Sequence, residues 1–319
     1  MGQVLAAIGE ALIDFIPAEK GCAFDEVTSF RPAVGGAPAN VCGAYAKLGG
    51  KTRLMTQLGK DPFGDKIVKE MQGFGIDTTY VARTSKANTA LAFVSLAKDG
   101  NRTFSFYRNP SADMLYTPEQ LEEGCFEDLF ALHFCSVSLG DFPMKEAHRA
   151  AIAKAREKGA IISFDPNLRF PLWPDRQALK DTVLEFLPLA DVLKVSDEEI
   201  AFLTGETDIQ AALPKLFVGQ VKLILFTCGK EGACAYTKQA SGYSPCEDVP
   251  VADTTGAGDG FMGSFLWKLH QAGVDAAGLA GLTQAQLNEM VDFSNRFCTI
   301  SVQSKGAIAS YPTLEQMGE

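Results

Sequence analysis

Nowhere does this sequence hold an apolar run near the length of a membrane span, a Lys/Arg-rich run or a low-complexity stretch. Histidine is scarce: His133, His148 and His270 are scattered, without the spacing of metal ligands. His133 lies in the apolar string Ala131-Leu132-His133-Phe134-Cys135, where a core or strand-end role is expected. None of Cys22, Cys42, Cys125, Cys135, Cys228, Cys234, Cys246 and Cys298 forms a Cys-x-x-Cys pair, so they read as free thiols of a reducing compartment. Met1-Gly2-Gln3 leads into an apolar segment broken by Glu10 and Asp14, which lacks the basic start and longer apolar stretch of a secretory signal. A cytoplasmic protein is the expectation. No Gly-x-Gly-x-x-Gly follows this first apolar segment, which argues against a dinucleotide-dependent oxidoreductase. Positive charge is the minority, 29 Lys and Arg against 39 Asp and Glu, giving a formal net charge of −10 and a pI near 4.9. Such a surface repels a phosphate backbone, so neither nucleic acid nor membrane is an expected partner. A small anion in a locally positive pocket is still compatible.

What the chain does have is alternation. Short buried-strand patterns at residues 4–9, 53–57, 132–136, 161–164, 192–195 and 223–227 are interleaved with helical periodicity at 38–48, 63–74, 144–158, 176–187 and 198–203. This order implies an α/β/α sandwich with a mostly parallel central sheet. Two regions interrupt it. Residues 88–108 read as a hairpin around Lys98-Asp99-Gly100-Asn101, and 27–32 as a further strand. Too few to fold alone, these pieces are expected to form a small β-lid on one 319-residue domain, through insertions at about 16–33 and 88–110. A last hairpin, 233–236 with 242–244, is expected at the edge of the main sheet, and 257–272 and 285–301 are expected to be helices.

The chemistry concentrates in Asp253-Thr254-Thr255-Gly256-Ala257-Gly258-Asp259-Gly260, immediately before an apolar helix. A glycine-rich turn aims successive amides at one spot, and the helix dipole adds to their attraction for anions. Gly256, Ala257 and Gly258 thereby form a candidate anion hole for a migrating phosphoryl group. Asp259 lies in the first helical turn, where amides favour the ionised form. It is the candidate base: an unperturbed Asp titrates at about 3.9, so at neutral pH a carboxylate able to accept a hydroxyl proton is expected.

This string resembles the second signature of the ribokinase-like, or PfkB, family of carbohydrate kinases. The first signature resembles Gly35-Gly36-Ala37-Pro38-Ala39-Asn40: glycines allow close approach to a sugar, Pro38 starts a helix and Asn40 both donates and accepts. Closer still is the resemblance to the fructokinase branch. It is carried by Gly9-Glu10-Ala11-Leu12-Ile13-Asp14, Phe106-Tyr107-Arg108-Asn109-Pro110-Ser111-Ala112-Asp113-Met114-Leu115, Asp165-Pro166-Asn167-Leu168-Arg169, Pro171-Leu172-Trp173-Pro174 and Lys194-Val195-Ser196-Asp197-Glu198-Glu199. The motifs span the chain to about residue 312.

The resemblance implies a ribokinase-like fold and transfer of the γ-phosphoryl group of ATP to a ketose hydroxyl, most simply fructose to fructose 6-phosphate. Two alternatives are a 2-keto-3-deoxygluconate kinase, whose acid Arg108 and Arg169 would pair, and a catalytically silent sugar-binding relative. Asp14, placed just past the first strand where open sheets bind ligands, matches the family's hydroxyl-binding carboxylate. Strand alternation puts Phe104, Phe106 and Arg108 on one lid face and Tyr107 on the other, so Phe106 and Arg108 are expected at the sugar. Arg169, after a strand end and a Pro-Asn turn, points toward the same cleft. The resemblance further implies nucleotide contacts from Lys194, Glu199, Thr227, Gly229, Gly232 and Asn295. Mg²⁺ is expected on the phosphates, with Glu199 acting through water, and no carboxylate cage is needed. A K⁺ site is implied at Asp253, Thr255, Ser301, Ser304, Gly306 and Ser310, and the lid is implied as a homodimer surface.

Overall fold

The computed structural model describes residues 2–19, 21, 24–96 and 102–319. Cys22 and the turn Lys98-Asp99-Gly100-Asn101 lie outside them. The first strand, β1 (Val4–Ile8), is buried along its whole length because both sheet faces are covered. Its side chains alternate: Val4, Ala6 and Ile8 join one core, while Leu5 and Ala7 face the other side. After Gly9 the chain leaves the sheet. It forms β2 (Leu12–Pro17) and β3 (Phe30–Gly35), then returns through α1 (Ala37–Lys47) to β4 (Lys51–Gly59). Next come α2 (Pro62–Gly73), β5 (Ile76–Asp77), β6 (Val81–Thr84) and a second excursion, β7 (Ala90–Leu96) and β8 (Arg102–Tyr107).

From β9 (Leu129–Cys135) the alternation is regular: α3 (Met144–Glu157), β10 (Ile161–Asp165), α4 (Arg176–Phe186), β11 (Val192–Ser196), α5 (Asp197–Thr204), α6 (Ile209–Leu216) and β12 (Leu223–Thr227). The hairpin β13 (Ala233–Tyr236) and β14 (Ser241–Ser244) follows, then α7 (Ala257–Gln271), α8 (Gln284–Ser301) and the short α9 (Leu314–Met317). Among the described residues the main sheet runs β14-β13-β12-β11-β10-β9-β1-β4-β5, with β6 also on β4. It is parallel except at the β12-β13-β14 edge, where the expected hairpin lies. One face is covered by α3, α4, α5 and α6, whose Ala151, Val183, Ile200 and Leu216 share a core with Ile224 and Phe226. The other is covered by α1, α7 and α8, whose Tyr45, Phe265 and Leu287 pack on Leu223 and Leu225. The result is the expected three-layer α/β/α sandwich.

The second sheet has the order β3-β2-β7-β8. Its pairing is antiparallel at β2–β3 and β7–β8 and parallel at β2–β7. Here one expectation is corrected. Asp14 is not in a loop past the first strand but inside β2, paired to Ala33 and Ala92, so the lid carries it. The apolar string from Val4 to Pro17 holds two strands of two sheets, separated only by Gly9, Glu10 and Ala11. The lid strands accordingly start at Leu12, ahead of residue 16. The short helix α6, which contains Pro214, was not evident in the periodicity. His133 is a satisfied core residue: its Nδ1 lies 3.0 Å from the Ser163 hydroxyl, and burial pushes its pKa down to about 3. The cysteines among the described residues are free thiols.

Candidate active site

α7 begins where the chain needs a left-handed turn. Gly256 caps it at φ 75°, and a Cβ there would stand 2.6 Å from the Tyr311 hydroxyl, which donates to the Gly256 carbonyl at 2.7 Å. Asp259 follows within the first turn, and β2, α1 and the segment after β10 converge on it. Asn40 Nδ2 donates to Asp259 Oδ2 at 2.9 Å, joining the two glycine-rich strings across 219 residues of sequence. A narrow cavity is lined by Glu10, Leu12, Asp14, Gly36, Ala37, Asn40, Phe104, Phe106, Val137, Asn167, Arg169, Leu172, Thr255, Gly256 and Asp259. Lid strands thus supply its roof: Leu12 and Asp14 from β2, Phe104 and Phe106 from β8, with the two phenyl rings stacked at 5.7 Å. Tyr107 points the other way and is exposed, as alternation requires. Gly35 runs against Asp14, whose carboxylate a Cβ at Gly35 would strike. A roomier hollow of about 870 Å³ lies at the opposite end of the strands, lined by residues such as Phe217, Thr237 and Lys238, and no Asp or Glu is among its lining residues.

The electrostatics of Asp259 correct a second expectation. Its pKa is raised to about 6, not held near the ordinary value. Burial is the main cause, and the neighbouring Asp165 adds to it. The Asn40 hydrogen bond and the charges of Arg169 and Lys194 pull the other way. Burial thus sets the direction of the shift, opposite to the one expected from the helix end. At neutral pH the group is still mostly a carboxylate, and a pKa near 6 makes it a better proton acceptor than a free Asp.

Lys194, at the end of β11, is buried and ion-paired with Asp165 at 2.9 Å. Burial works against its ammonium, but the charges of Asp165 and Glu199 hold its pKa above the usual lysine value. Its Nζ would be only 3.2 Å from a Cβ on Gly258, so a fixed positive charge stands at the start of α7. Within the candidate anion hole the Ala257 amide already donates to the Thr254 carbonyl at 3.2 Å, so it is not free to point at a ligand in this conformation.

Other candidates are placed differently. Arg108 does not line the cavity: it is buried, ion-paired with Asp113, and its Nη1 donates to the Val137 carbonyl at 3.3 Å. Glu199 forms the capping box of α5, accepting from the Ser196 amide at 2.9 Å and the Leu168 amide at 3.0 Å. Asn295 is buried and donates to the Ser244 carbonyl at 2.7 Å, on the neighbouring edge strand. Thr227 ends β12. Gly229 and Gly232 take φ 52° and 103° in the loop beyond it, and a Cβ at Gly232 would collide with the Ser244 carbonyl. The implied cation residues do gather. Asp253 accepts from the Thr255 amide at 2.9 Å and the Gly306 amide at 3.0 Å, the Ser301 and Ser310 hydroxyls lie 2.8 Å apart, and Ser304 donates its amide to the Ser301 carbonyl at 3.1 Å. These are hard oxygen groups suited to an alkali cation, and among the described residues no cluster of acidic, His or Cys side chains offers a divalent cage.

Sequence reasoning missed Glu10 and Asp165. Glu10 interrupts an otherwise apolar run, a signal for a buried carboxyl with specific partners. Asp165 stands within Asp165-Pro166-Asn167-Leu168-Arg169, and nothing local to that string signals its pairing with Lys194.

A match to the pfkB family carbohydrate kinase covers residues 3–314. The chain is 40% identical to probable fructokinase-5 of Arabidopsis thaliana over 97% of this chain and 94% of that protein. It superposes with a TM-score of 0.91 on the ATP-bound fructokinase of Xylella fastidiosa, at 36% identity over 99% and 97% of the two chains. A double mutant of fructokinase from Vibrio cholerae O395, bound to fructose, ADP and potassium, gives 0.87 at 31% identity over 99% and 98%.

Proposed function

We infer that this chain, which belongs to the pfkB family of carbohydrate kinases and is an ATP-dependent fructokinase, uses Asp259 as the base that takes the proton of the attacked hydroxyl. The observation that carries this reading is the 2.9 Å contact of Asn40 with Asp259 in a cavity roofed by Asp14 and Phe106. Asp14 and Asn40 engage the sugar hydroxyls, and the Phe104–Phe106 pair covers the apolar face of the ring. Bound this way, fructose presents its 6-hydroxyl to Asp259. Closure of the lid keeps water from the reacting phosphate and so suppresses ATP hydrolysis.

On the other side of Asp259, Lys194 and the amides from Gly256 to Gly258 stabilise charge on the transferring group, as a loose transition state requires. The nucleotide lies along Thr227, Gly229 and Gly232. Mg²⁺ bound with the nucleotide would neutralise phosphate charge, and the Asp253, Thr255, Ser301, Ser304, Gly306 and Ser310 cluster would hold K⁺. The capped Glu199 reaches the metal only through water, and Asn295 acts on the adenine side by positioning Ser244. The whole chain works as one domain with its lid, in the cytoplasm. The outer lid face, where Phe24 and Tyr107 are exposed around Phe93, is the surface for a second copy.

A keto acid would draw on Arg108 and Arg169 for its carboxylate, but Asp113 already pairs with Arg108 and leaves Arg169 as the arginine lining the cavity. Coupled assays with ATP and fructose, ribose or 2-keto-3-deoxygluconate test the assignment. Fructose is expected to give the highest kcat/KM, and a higher value for either competitor overturns it.

A further inference from the structure

Buried charged groups stand at the roots of the lid, where the chain passes between the two sheets. Arg108, directly after β8, pairs with Asp113, which also accepts from the Ser111 hydroxyl. Ala112, between them, accepts from Gln57 Nε2 at 2.7 Å and donates to the Asn88 carbonyl at 2.8 Å, just ahead of β7. Thr89 binds the Asp61 carboxylate through its amide at 2.8 Å and its hydroxyl at 2.9 Å. Glu10, two residues before β2, is 2% exposed. One of its oxygens accepts from the Ala37 amide at 3.3 Å and the other from the Ser138 hydroxyl at 2.8 Å. Every crossing is therefore tied by polar contacts within a few residues.

Glu10 differs from the other ties in what it leads to. It lines the cavity, and the amide it holds begins α1. One turn along that helix, Asn40 donates its own amide to the Gly36 carbonyl at 2.9 Å and its side chain to Asp259. There is no slack in this path: Gly36 has φ 112°, and a Cβ there would stand 2.5 Å from the Glu10 carbonyl oxygen. A buried carboxylate is costly to keep, and two donors with one nearby guanidinium are a large commitment for a residue outside the reacting pair.

We propose that Glu10 is a positioning residue for phosphoryl transfer: it ties the first turn of α1 to Ser138 and so holds Asn40 in register to donate to Asp259. This rests on the assignment of Asp259 as the base. Glu10 itself faces Arg108 and Asp113, and Asp259 faces Asn40, Asp165, Arg169 and Lys194. Losing the Asn40 donation raises the acid limb of the kcat/KM profile, because that bond favours the ionised base. Losing only a negative charge nearby lowers the limb, and general destabilisation leaves it in place.

The test compares Glu10→Gln, Glu10→Ala and Ser138→Ala by fructose kinetics from about pH 5 to 9, with KM for ATP measured alongside. Glu10→Ala is expected to lose about tenfold in kcat with KM for ATP little changed, and to move the acid limb upward. Glu10→Gln keeps an acceptor for Ala37 and is expected to restore most of the rate without the upward shift. Ser138→Ala shifts the limb in the same direction by less, and it carries the test if Glu10→Ala does not fold. A limb that stays or falls in Glu10→Ala, or in Ser138→Ala in its place, overturns the proposal. Near-wild-type turnover by Asp259→Asn instead overturns the base assignment, whatever the Glu10 variants do.

Discussion

Replacing Asp259 by Asn separates catalysis from stability, because the same burial that tunes the base burdens the fold. The pKa of Asp259 goes from 3.8 in the unfolded chain to about 6 in the folded one. A folded pKa above the unfolded value means the folded state holds the proton more tightly. This group's contribution to stability is therefore fully present below about pH 4 and is lost as pH rises through 6. A rise of about two units costs about 3 kcal/mol at neutral pH, at 1.36 kcal/mol per unit. Asparagine removes the charge but keeps an oxygen to accept from Asn40.

For a chain of 319 residues, with an unfolding entropy of about 2.1 cal/mol/K per residue, that cost corresponds to about 4 to 5 °C in Tm. Asp259→Asn is expected to melt higher than wild type by that amount at about pH 8, with the gap closing toward pH 4. Its kcat is expected to fall by about 10²- to 10⁴-fold, the usual worth of a positioned base. Thermal melts at both pH values and a coupled kinase assay read the two effects together. A variant no more stable than wild type at pH 8, or a gap equal at both pH values, refutes the electrostatic argument. Turnover near wild type refutes the catalytic one.

In wild type, kcat/KM for fructose is expected to fall about tenfold per pH unit below about 6, since only ionised Asp259 accepts the proton; a profile flat down to pH 5 contradicts this. Lys194→Met leaves Asp165 buried without its 2.9 Å partner and is expected to cost about 3 to 5 kcal/mol in urea unfolding, most of it recovered by adding Asp165→Asn. A single variant as stable as wild type would show the pair to be dispensable. Exchanging K⁺ for choline is expected to lower kcat severalfold, and Asp253→Ala to abolish that dependence. Equal rates in the two salts would remove the cation from the Asp253 to Ser310 cluster.

What could be read from the sequence and what could not divide along a physical line. Strands such as Val4–Ile8 and Leu223–Thr227 are apolar because both faces are covered, and the turn before α7 needs glycine at φ 75°, so these features are written locally. The environment of a side chain is not. Asp259 looks like a first-turn aspartate with helpful amides, yet its pKa is set mainly by elements far away in sequence that exclude water from it. Arg108 has the spacing of a lid residue facing the sugar, but β8 ends at Tyr107, and one residue later Asp113 captures the guanidinium below the lid. Asp14 lines the cavity from a strand of the lid and not from the end of β1, because an apolar string gives no sign of the three residues at which it changes sheets.

Glu10 joins the two cases. A carboxyl inside an apolar run announces that it is buried and held, but only the fold says by what. The partners are Ala37 and Ser138, far from Glu10 in sequence, and through Ala37 the path ends at Asp259. An ionisable residue that breaks an apolar run beside a known site is therefore worth following to its partners even when no motif gives it a role, because retaining it there is costly unless something depends on its geometry.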